Sequence, residues 1–289
     1  MSRSFYFCSM MSKRTLLSIL SISVFLGYTS CKNNTSQKTN IANTQTLTLN
    51  DDTLKGFLLA GVYFVQGYGG ADNFYNKIKT EVGQDTAQKD FLTLLDSAYH
   101  KYFIYPFPRS AAEKVDARNT LSTWFQVNDQ NDFYLFLTDL KDSGFQAHYL
   151  LCKQALDENG GANANIAKID FSKYKLPGGS EVLLNFVKNN YQKFSPAGIK
   201  AWNIGLYVYT VCLGYGAEYI DATNGKNVIT QMLYEAQKSY NNWQTYYSDF
   251  MLGRQFAGVD SSSNTGYQKT IDAMLQGTYS AYKYLPLTK

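Results

Sequence analysis

The sequence predicts an all-α fold: a single multi-helix domain over residues 51–289, behind an N-terminal leader and a polar linker. Three observations lead there. Apolar residues recur at spacings of three and four in nearly every segment after residue 50, which is the mark of one helix face. Alternating apolar and polar runs, the pattern of a half-buried strand, are scarce. Clusters of Gly, Pro, Asn, Asp and Ser fall between the periodic runs, where helix caps and breaks belong.

The leader comes first. Lys13 and Arg14 precede an 11-residue apolar run, Leu16 to Leu26, and Gly27-Tyr28-Thr29-Ser30 leads to Cys31. The run is short of the ~20 residues that span a bilayer, and the charge and length pattern is that of a secretory signal peptide. A Cys just after small residues resembles a bacterial lipoprotein signal, so residues 1–30 are expected to be removed and Cys31 lipidated. Met11 is an alternative start. An uncleaved anchor or an ordinary secreted protein would use the same pattern. Residues 31–50 are polar and low in complexity, the composition of a flexible tether.

The helices follow in order. Leu54–Gln66 is apolar nearly all round and reads as one buried helix, with Asp51 or Asp52 as N-cap. Gly67-Tyr68-Gly69-Gly70 breaks it. Ala71–Val82 places Phe74, Ile78 and Val82 on one face. Asp85–Tyr105 does the same with Phe91, Leu94, Leu95, Ala98 and Tyr102, and Pro106 and Pro108 end it. Ala111–Phe125 is expected to turn Val115, Leu121 and Trp124 inward. After a turn and cap at Asn128-Asp129-Gln130-Asn131, the helix Asp132–Ser143 ends on Gly144, a residue suited to a C-cap. Gln146–Leu156 and Glu181–Tyr191 are helices, the second capped by Ser180. Ser195 is a good N-cap with Pro196 at the first helical position. The next helix carries Ile199, Trp202, Leu206, Tyr209 and Leu213 along one row, with Gly205 beside it, and Gly214-Tyr215-Gly216 stops it. Val228, Met232, Leu233, Ala236 and Tyr240 form another face. Asn241-Asn242 restarts the chain for Trp243, Tyr247, Phe250, Met251 and Arg254. A Ser/Gly loop, residues 258–266, precedes a last helix with Ile271, Met274, Leu275, Thr278 and Tyr282 in register.

Charge excludes one broad class. Arg3, Lys13 and Arg14 belong to the leader, which has no acids; beyond residue 30, 24 basic residues face 23 acidic ones. That balance argues against a dedicated nucleic-acid binder. No serine-hydrolase elbow, zinc-helix, phosphate-loop, paired-cysteine or calcium-loop motif occurs, and Asn224-Gly225-Lys226 reads as a turn. No cofactor is expected, and an enzymatic role finds no positive argument. His148 and Cys152 share a helix face, but two ligands do not make a zinc site, so no metal is expected. His100 reads as an ordinary interfacial histidine. Cys152 and Cys212 are either small buried core residues or a disulfide pair. Aromatic residues, 16% of the chain, supply either the core or a stacking surface, with the core favoured.

Residues Ala201-Trp202-Asn203, Gly205, Gly214-Tyr215, Gly216, Tyr219-Ile220, Tyr240, Trp243, Tyr246 and Gly253-Arg254-Gln255 resemble the signature of a bacterial domain-of-unknown-function family, DUF1266. A weaker upstream block adds Trp124, Val127, Asp132, Leu137, Leu140 and Gly144. Together they cover residues 115–257. The family pattern has an acidic residue and an Arg where this chain has Asn203 and Leu206, so one polar pair of that pattern is missing. The resemblance supports fold and boundaries and implies no activity. Arg254, in an apolar row, is expected to form an ion pair with Glu218, Asp221, Glu235 or Asp249, or to receive an anion in a cleft. The reading that results is a lipid-anchored cell-envelope protein whose helical domain is a non-enzymatic interaction or scaffold module for an envelope partner. The alternative is a small-ligand-binding or cryptic hydrolytic domain with a cleft lined by Tyr215, Tyr219, Tyr246 and Arg254, with Trp243 a further candidate binding residue.

Overall fold

A computed structural model describes residues 49–83, 87–107, 109–142 and 144–288. The leader, Cys8, Cys31 and nearly all of the tether lie outside the described residues. Among the described residues the chain is helical throughout and holds no strand.

The first predicted helix is two. α1 (Asp52–Leu58) and α2 (Gly61–Gly67) are separated at Leu59-Ala60. The break frees backbone carbonyls in the middle of the core, and tyrosines from the far end of the chain take them. Leu58 O accepts from Tyr247 and Tyr282 hydroxyls, both at 2.7 Å, and Leu59 O accepts from Tyr246 at 2.9 Å. Gly61 completes the arrangement, because a Cβ there would fall 1.8 Å from the Tyr282 hydroxyl. Asp51 caps α1 through Leu54 N, as expected of a helix N-cap.

α3 (Ala71–Val82) and α4 (Gln88–Phe103) pack on one another, and their buried rings Phe74, Tyr99 and Phe103 meet within 4.9–5.7 Å. α5 (Ala111–Phe125) and α6 (Gln130–Asp142) follow, and each packs on the helix Lys200–Gly216. Gln126 ends α5 in the left-handed region, φ 56°, and Asp129 caps α6 by accepting from Asp132 N at 2.8 Å. On α5, Leu121 is buried as expected, but Val115 is exposed and Trp124 is 66% exposed. Helical periodicity marks a face; it does not say whether another element covers that face.

α7 (Phe145–Asp157) and α8 (Glu181–Asn189) pair around a second, smaller core with Cys152, Leu156, Leu184 and Phe256. Two short 3-10 turns at Gly161–Asn163 and Ile166–Lys168 lie between them. The Ser180 side chain makes no cap bond to α8. Cys152 and Cys212 are free and lie in separate cores, so the disulfide alternative falls. Burial alone pushes the Cys152 thiol up to about 12 and holds Cys212 well above the ordinary thiol range.

α9 (Lys200–Gly216) is the central helix, buried on every side, and it packs on α5, α6, α10 (Ala222–Ser239) and α11 (Trp243–Phe256). It begins later than predicted. Ser195 does not cap it; its N–H and hydroxyl both bond to the Asp249 carboxylate on α11. Gly205 allows the close approach expected of it, since a Cβ there would meet Phe250 at 2.8 Å and Leu59 O at 3.1 Å. Asn224-Gly225-Lys226 is not a turn: it lies in the first turns of α10, whose N-cap is Asp221. Asn242 caps α11 as predicted, through Thr245 N. α12 (Ser261–Gln276) starts inside the expected loop because Asp260 caps it through Ser263 N. A short turn of helix, α13 (Ala281–Tyr284), brings Tyr282 into the core. No helix among the described residues is long and apolar enough to cross a membrane.

Candidate functional site

The four residues expected to line one cleft, and Trp243 named with them, are not brought together. Tyr246 is fully buried and spends its hydroxyl on Leu59 O; Trp243 is buried beside it and donates its Nε1 to Leu285 O at 2.7 Å. Burial and the neighbouring phenols hold Tyr246 well above the ordinary tyrosine range. These two residues are core.

Arg254 is 5% exposed and stands at the α11–α12 contact. Its Nε donates to Asn264 Oδ1 at 3.3 Å, its Nη2 to Ser263 Oγ at 3.0 Å, and its guanidinium lies 3.5 Å from the centre of the Tyr267 ring. None of the four expected carboxylates pairs with it. Glu218 takes Lys114, Asp221 caps α10, Glu235 takes Lys200 and Lys238, and Asp249 takes Ser195. Arg254 joins α11 to α12 through a ring face and two neutral acceptors, not through the expected ion pair.

Tyr215 and Tyr219 sit at the other end of α9. Tyr215 stacks on Tyr105 at 4.0 Å, and the Arg109 guanidinium lies over it at 4.1 Å. The Tyr219 hydroxyl donates to Asn128 O at 3.1 Å, and Gln130 Nε2 donates to Tyr219 O at 2.8 Å. Tyr219 therefore holds the α5–α6 loop in place.

That loop borders a groove of about 230 Å³ between the end of α5, α6 and the start of α7. Phe125, Val127, Phe136, Leu140 and Phe145 form its apolar walls, and Asp132 and Asp139 add acidic groups. Phe125 and Phe136 pack at 5.3 Å, and Asp132 Oδ2 accepts from Asn128 N at 3.2 Å, which ties the loop to α6. Gly144 lies in the wall. Its φ of −60° is ordinary, so it is not the left-handed C-cap predicted; it stands at the N-cap of α7. What needs a glycine is the neighbour behind it, because a Cβ would lie 2.9 Å from Asn203 Nδ2.

Behind the groove are Trp202 and Asn203 of α9. The Trp202 ring meets Phe145 edge-on at 4.7 Å, and Asn203 Nδ2 donates to Leu140 O at 3.3 Å. Both side chains are buried, yet Trp202 Nε1 and Asn203 Oδ1 have no partner. The two blocks that carried the family resemblance thus converge here. Val127, Asp132, Leu140 and Gly144 come from the upstream block, Trp202 and Asn203 from the downstream one. Phe125, Asp139 and Phe145 escaped the sequence reading, and Phe136 entered it only as part of a helix face. Their signal was adjacency to the upstream block, together with a glycine that no turn required.

His148 faces Ser180 Oγ at 3.4 Å and the edge of Phe256, and burial lowers its pKa. It joins no group of three or more potential metal ligands among the described residues. Asp51, Asp96 and His100 do form such a group.

No curated protein and no solved structure matches the chain. A family model described as a protein of unknown function, DUF1266, matches residues 120–287. The match covers the groove, the helix beneath it and both blocks, and it runs on past the predicted limit at 257 through α12 and α13. It spans more than half of the sequence, and the chain belongs to the DUF1266 family.

Proposed function

We propose that the chain is a cell-envelope lipoprotein, anchored through Cys31, whose helical domain is a non-enzymatic interaction module that docks a protein partner at the α5–α7 groove. The observation that carries this reading is the groove itself. Its aromatic walls carry acidic groups, and Trp124, the residue before Phe125 in the chain, stands two-thirds in solvent. Apolar surface of this kind, mixed with polar residues, is the usual mark of a protein-binding site. The anchor is supported by the sequence: Lys13, Arg14, the apolar run to Leu26 and the small-residue approach to Cys31. The small-ligand or hydrolytic alternative drew on a cleft of Tyr215, Tyr219, Tyr246 and Arg254, and no observation favours it over the groove.

The test is a pull-down of the tagged full chain from detergent-solubilised membranes, with Cys31→Ala and Trp124→Ala beside it. Cys31→Ala is expected in the soluble fraction. Trp124→Ala is expected to stay at the membrane and fold normally but to lose its partner by at least about tenfold, the loss of a hot-spot aromatic. Equal capture by wild type and Trp124→Ala removes the groove from the reading. Wild-type protein found wholly soluble removes the anchor.

A further inference from the structure

Three metal-ligating side chains meet at the start of the helical region, outside the residues matched by the family. Asp96 and His100 are four apart on α4, the spacing that stacks two ligands on one helix face. Asp51, just before α1, closes the group. Its Oδ2 is in direct hydrogen-bond contact with His100 Nε2, and Asp96 Oδ2 lies 3.8 Å from the same nitrogen. One ligand atom from each of the three residues lies within 4.8 Å of the others.

The local balance of charge and hydrogen bonds is incomplete. Asp51 has a use for its other oxygen, since Oδ1 caps α1 by accepting from Leu54 N at 2.9 Å. Asp96 has none: its Oδ1 is buried and no donor reaches it. Among the described residues neither carboxylate pairs with a lysine or arginine. Lys55 goes to Asp52, and Lys101 goes to Glu81. Two carboxylates therefore converge on one imidazole, and one carboxylate oxygen is out of water with nothing on it. Such an oxygen is unfavourable unless a proton or a cation compensates it.

We propose that Asp51, Asp96 and His100 form a binding site for a divalent transition-metal ion of the Zn²⁺ type. One imidazole and two carboxylates suit that class of ion. Zinc bonds of about 2.0–2.2 Å in a tetrahedral arrangement set ligand atoms roughly 3.3–3.5 Å apart. The Asp96–His100 separation is already close to that, and the direct Asp51–His100 contact must open to admit the ion. The group is partly exposed, so solvent completes the coordination. The ion would tie the point where the tether meets α1 to the middle of α4, two elements that are distant in sequence. It is a clip on the entrance to the domain and takes no part in the groove.

The experiment uses the full chain in detergent, without a polyhistidine tag and after chelator treatment. Zn²⁺ is titrated calorimetrically, and Co²⁺ is added separately to read the ligand field. One equivalent of Zn²⁺ is expected, with a rise in Tm of several degrees. His100→Ala and Asp96→Asn should each weaken binding by at least about tenfold, while His148→Ala, which removes the only other histidine, leaves it unchanged. Asp96→Asn guards against a folding artefact: it keeps the side-chain shape, and without metal it should be at least as stable as wild type. An Asp96→Asn protein that is folded and binds Zn²⁺ like wild type overturns the proposal. So does saturation that His148→Ala abolishes, or no saturable binding up to about 1 mM. In the last case the Asp51–His100 pair is a helix cap and nothing more.

Discussion

Two regions of this molecule use aromatic side chains in opposite ways. In the first, at the break between α1 and α2, Tyr246, Tyr247 and Tyr282 are packed to full burial or nearly so, and each hydroxyl lands on a backbone carbonyl freed by the break. The rings supply area and the hydroxyls supply the hydrogen bonds that a broken helix lacks. In the second, at the groove, Phe125, Phe136 and Phe145 line a surface depression. The polar atoms behind it, Trp202 Nε1 and Asn203 Oδ1, are left without partners. The first region is closed on itself. The second is incomplete, and incompleteness at a surface is what a binding site looks like. An orphan atom alone is not enough: the hydroxyls of Tyr75, Tyr99 and Thr210 are buried without partners too. Asn203 differs because it packs against a residue of the groove wall, Gly144.

The comparison breaks most readily at the closed region. Tyr246→Ala should destabilise the protein by about 3–5 kcal/mol, the cost of an emptied aromatic site. Tyr246→Phe should cost about 1–3 kcal/mol, because it leaves Leu59 O buried without its donor. Urea unfolding of the two variants separates the ring from the hydroxyl. A Tyr246→Phe protein as stable as wild type would show that the carbonyl has another partner and that the break does not depend on the tyrosines.

Next in size is Gly144→Ala. Its Cβ would lie 2.9 Å from Asn203 Nδ2 and 3.1 Å from Leu140 O, so either the amide or the start of α7 must shift. About 1–3 kcal/mol is expected, the usual cost of overpacking. If the close contact with Asn203 is the cause, Asn203→Ala in the same chain should recover most of the loss. No recovery would place the strain in the backbone instead.

A third prediction concerns pH. Burial raises the Asp249 carboxyl above its ordinary range, although bonds from Ser195 and Tyr240 act against the shift. The folded state therefore holds the proton more tightly than the unfolded state does. Below the ordinary aspartate pKa both states are protonated and the site costs nothing. As pH rises through that value towards the raised one, the unfolded state ionises first and stability is lost. Asp249→Asn does not ionise, so its stability relative to wild type should increase from pH 3.5 to pH 7. A difference that stays flat across this range would mean that Asp249 is charged in the folded protein at no net cost.

The same contrast explains what could be read in the sequence. The helices and several caps were legible because a 3.6-residue period and a cap are local. Asn242 before Trp243 is one such signal, and the apolar row from Ile199 to Leu213 is another. The break at Leu59-Ala60 was not legible, because the hydroxyl that takes Leu59 O comes from 187 residues away. Nor was the exposure of Trp124, whose spacing matches a buried face. Trp243, Tyr246 and Arg254 stood out by residue type and proved to be packing. The groove residues were ordinary phenylalanines, and they become a site only when α5, α6 and α7 are folded together over α9. His100 likewise acquires meaning only beside Asp51, 49 residues earlier.

The smallest expected effect is the most diagnostic for the groove. Asn203 makes one long hydrogen bond, Nδ2 to Leu140 O at 3.3 Å, and its Oδ1 makes none. Leucine has nearly the same shape and buries no polar atom, so Asn203→Leu gives up one weak bond and removes one unsatisfied acceptor. These terms nearly cancel, and the stability change should stay within about 1 kcal/mol in either direction. That is less than Tyr246→Phe, although both substitutions delete polar function from the core. If Asn203 is there for structure alone, partner capture should be as strong in Asn203→Leu as in wild type. If it serves the groove, capture should fall while urea unfolding is unchanged, because an acceptor kept unsatisfied in the free protein is then being satisfied by the partner or by the loop that the partner reshapes.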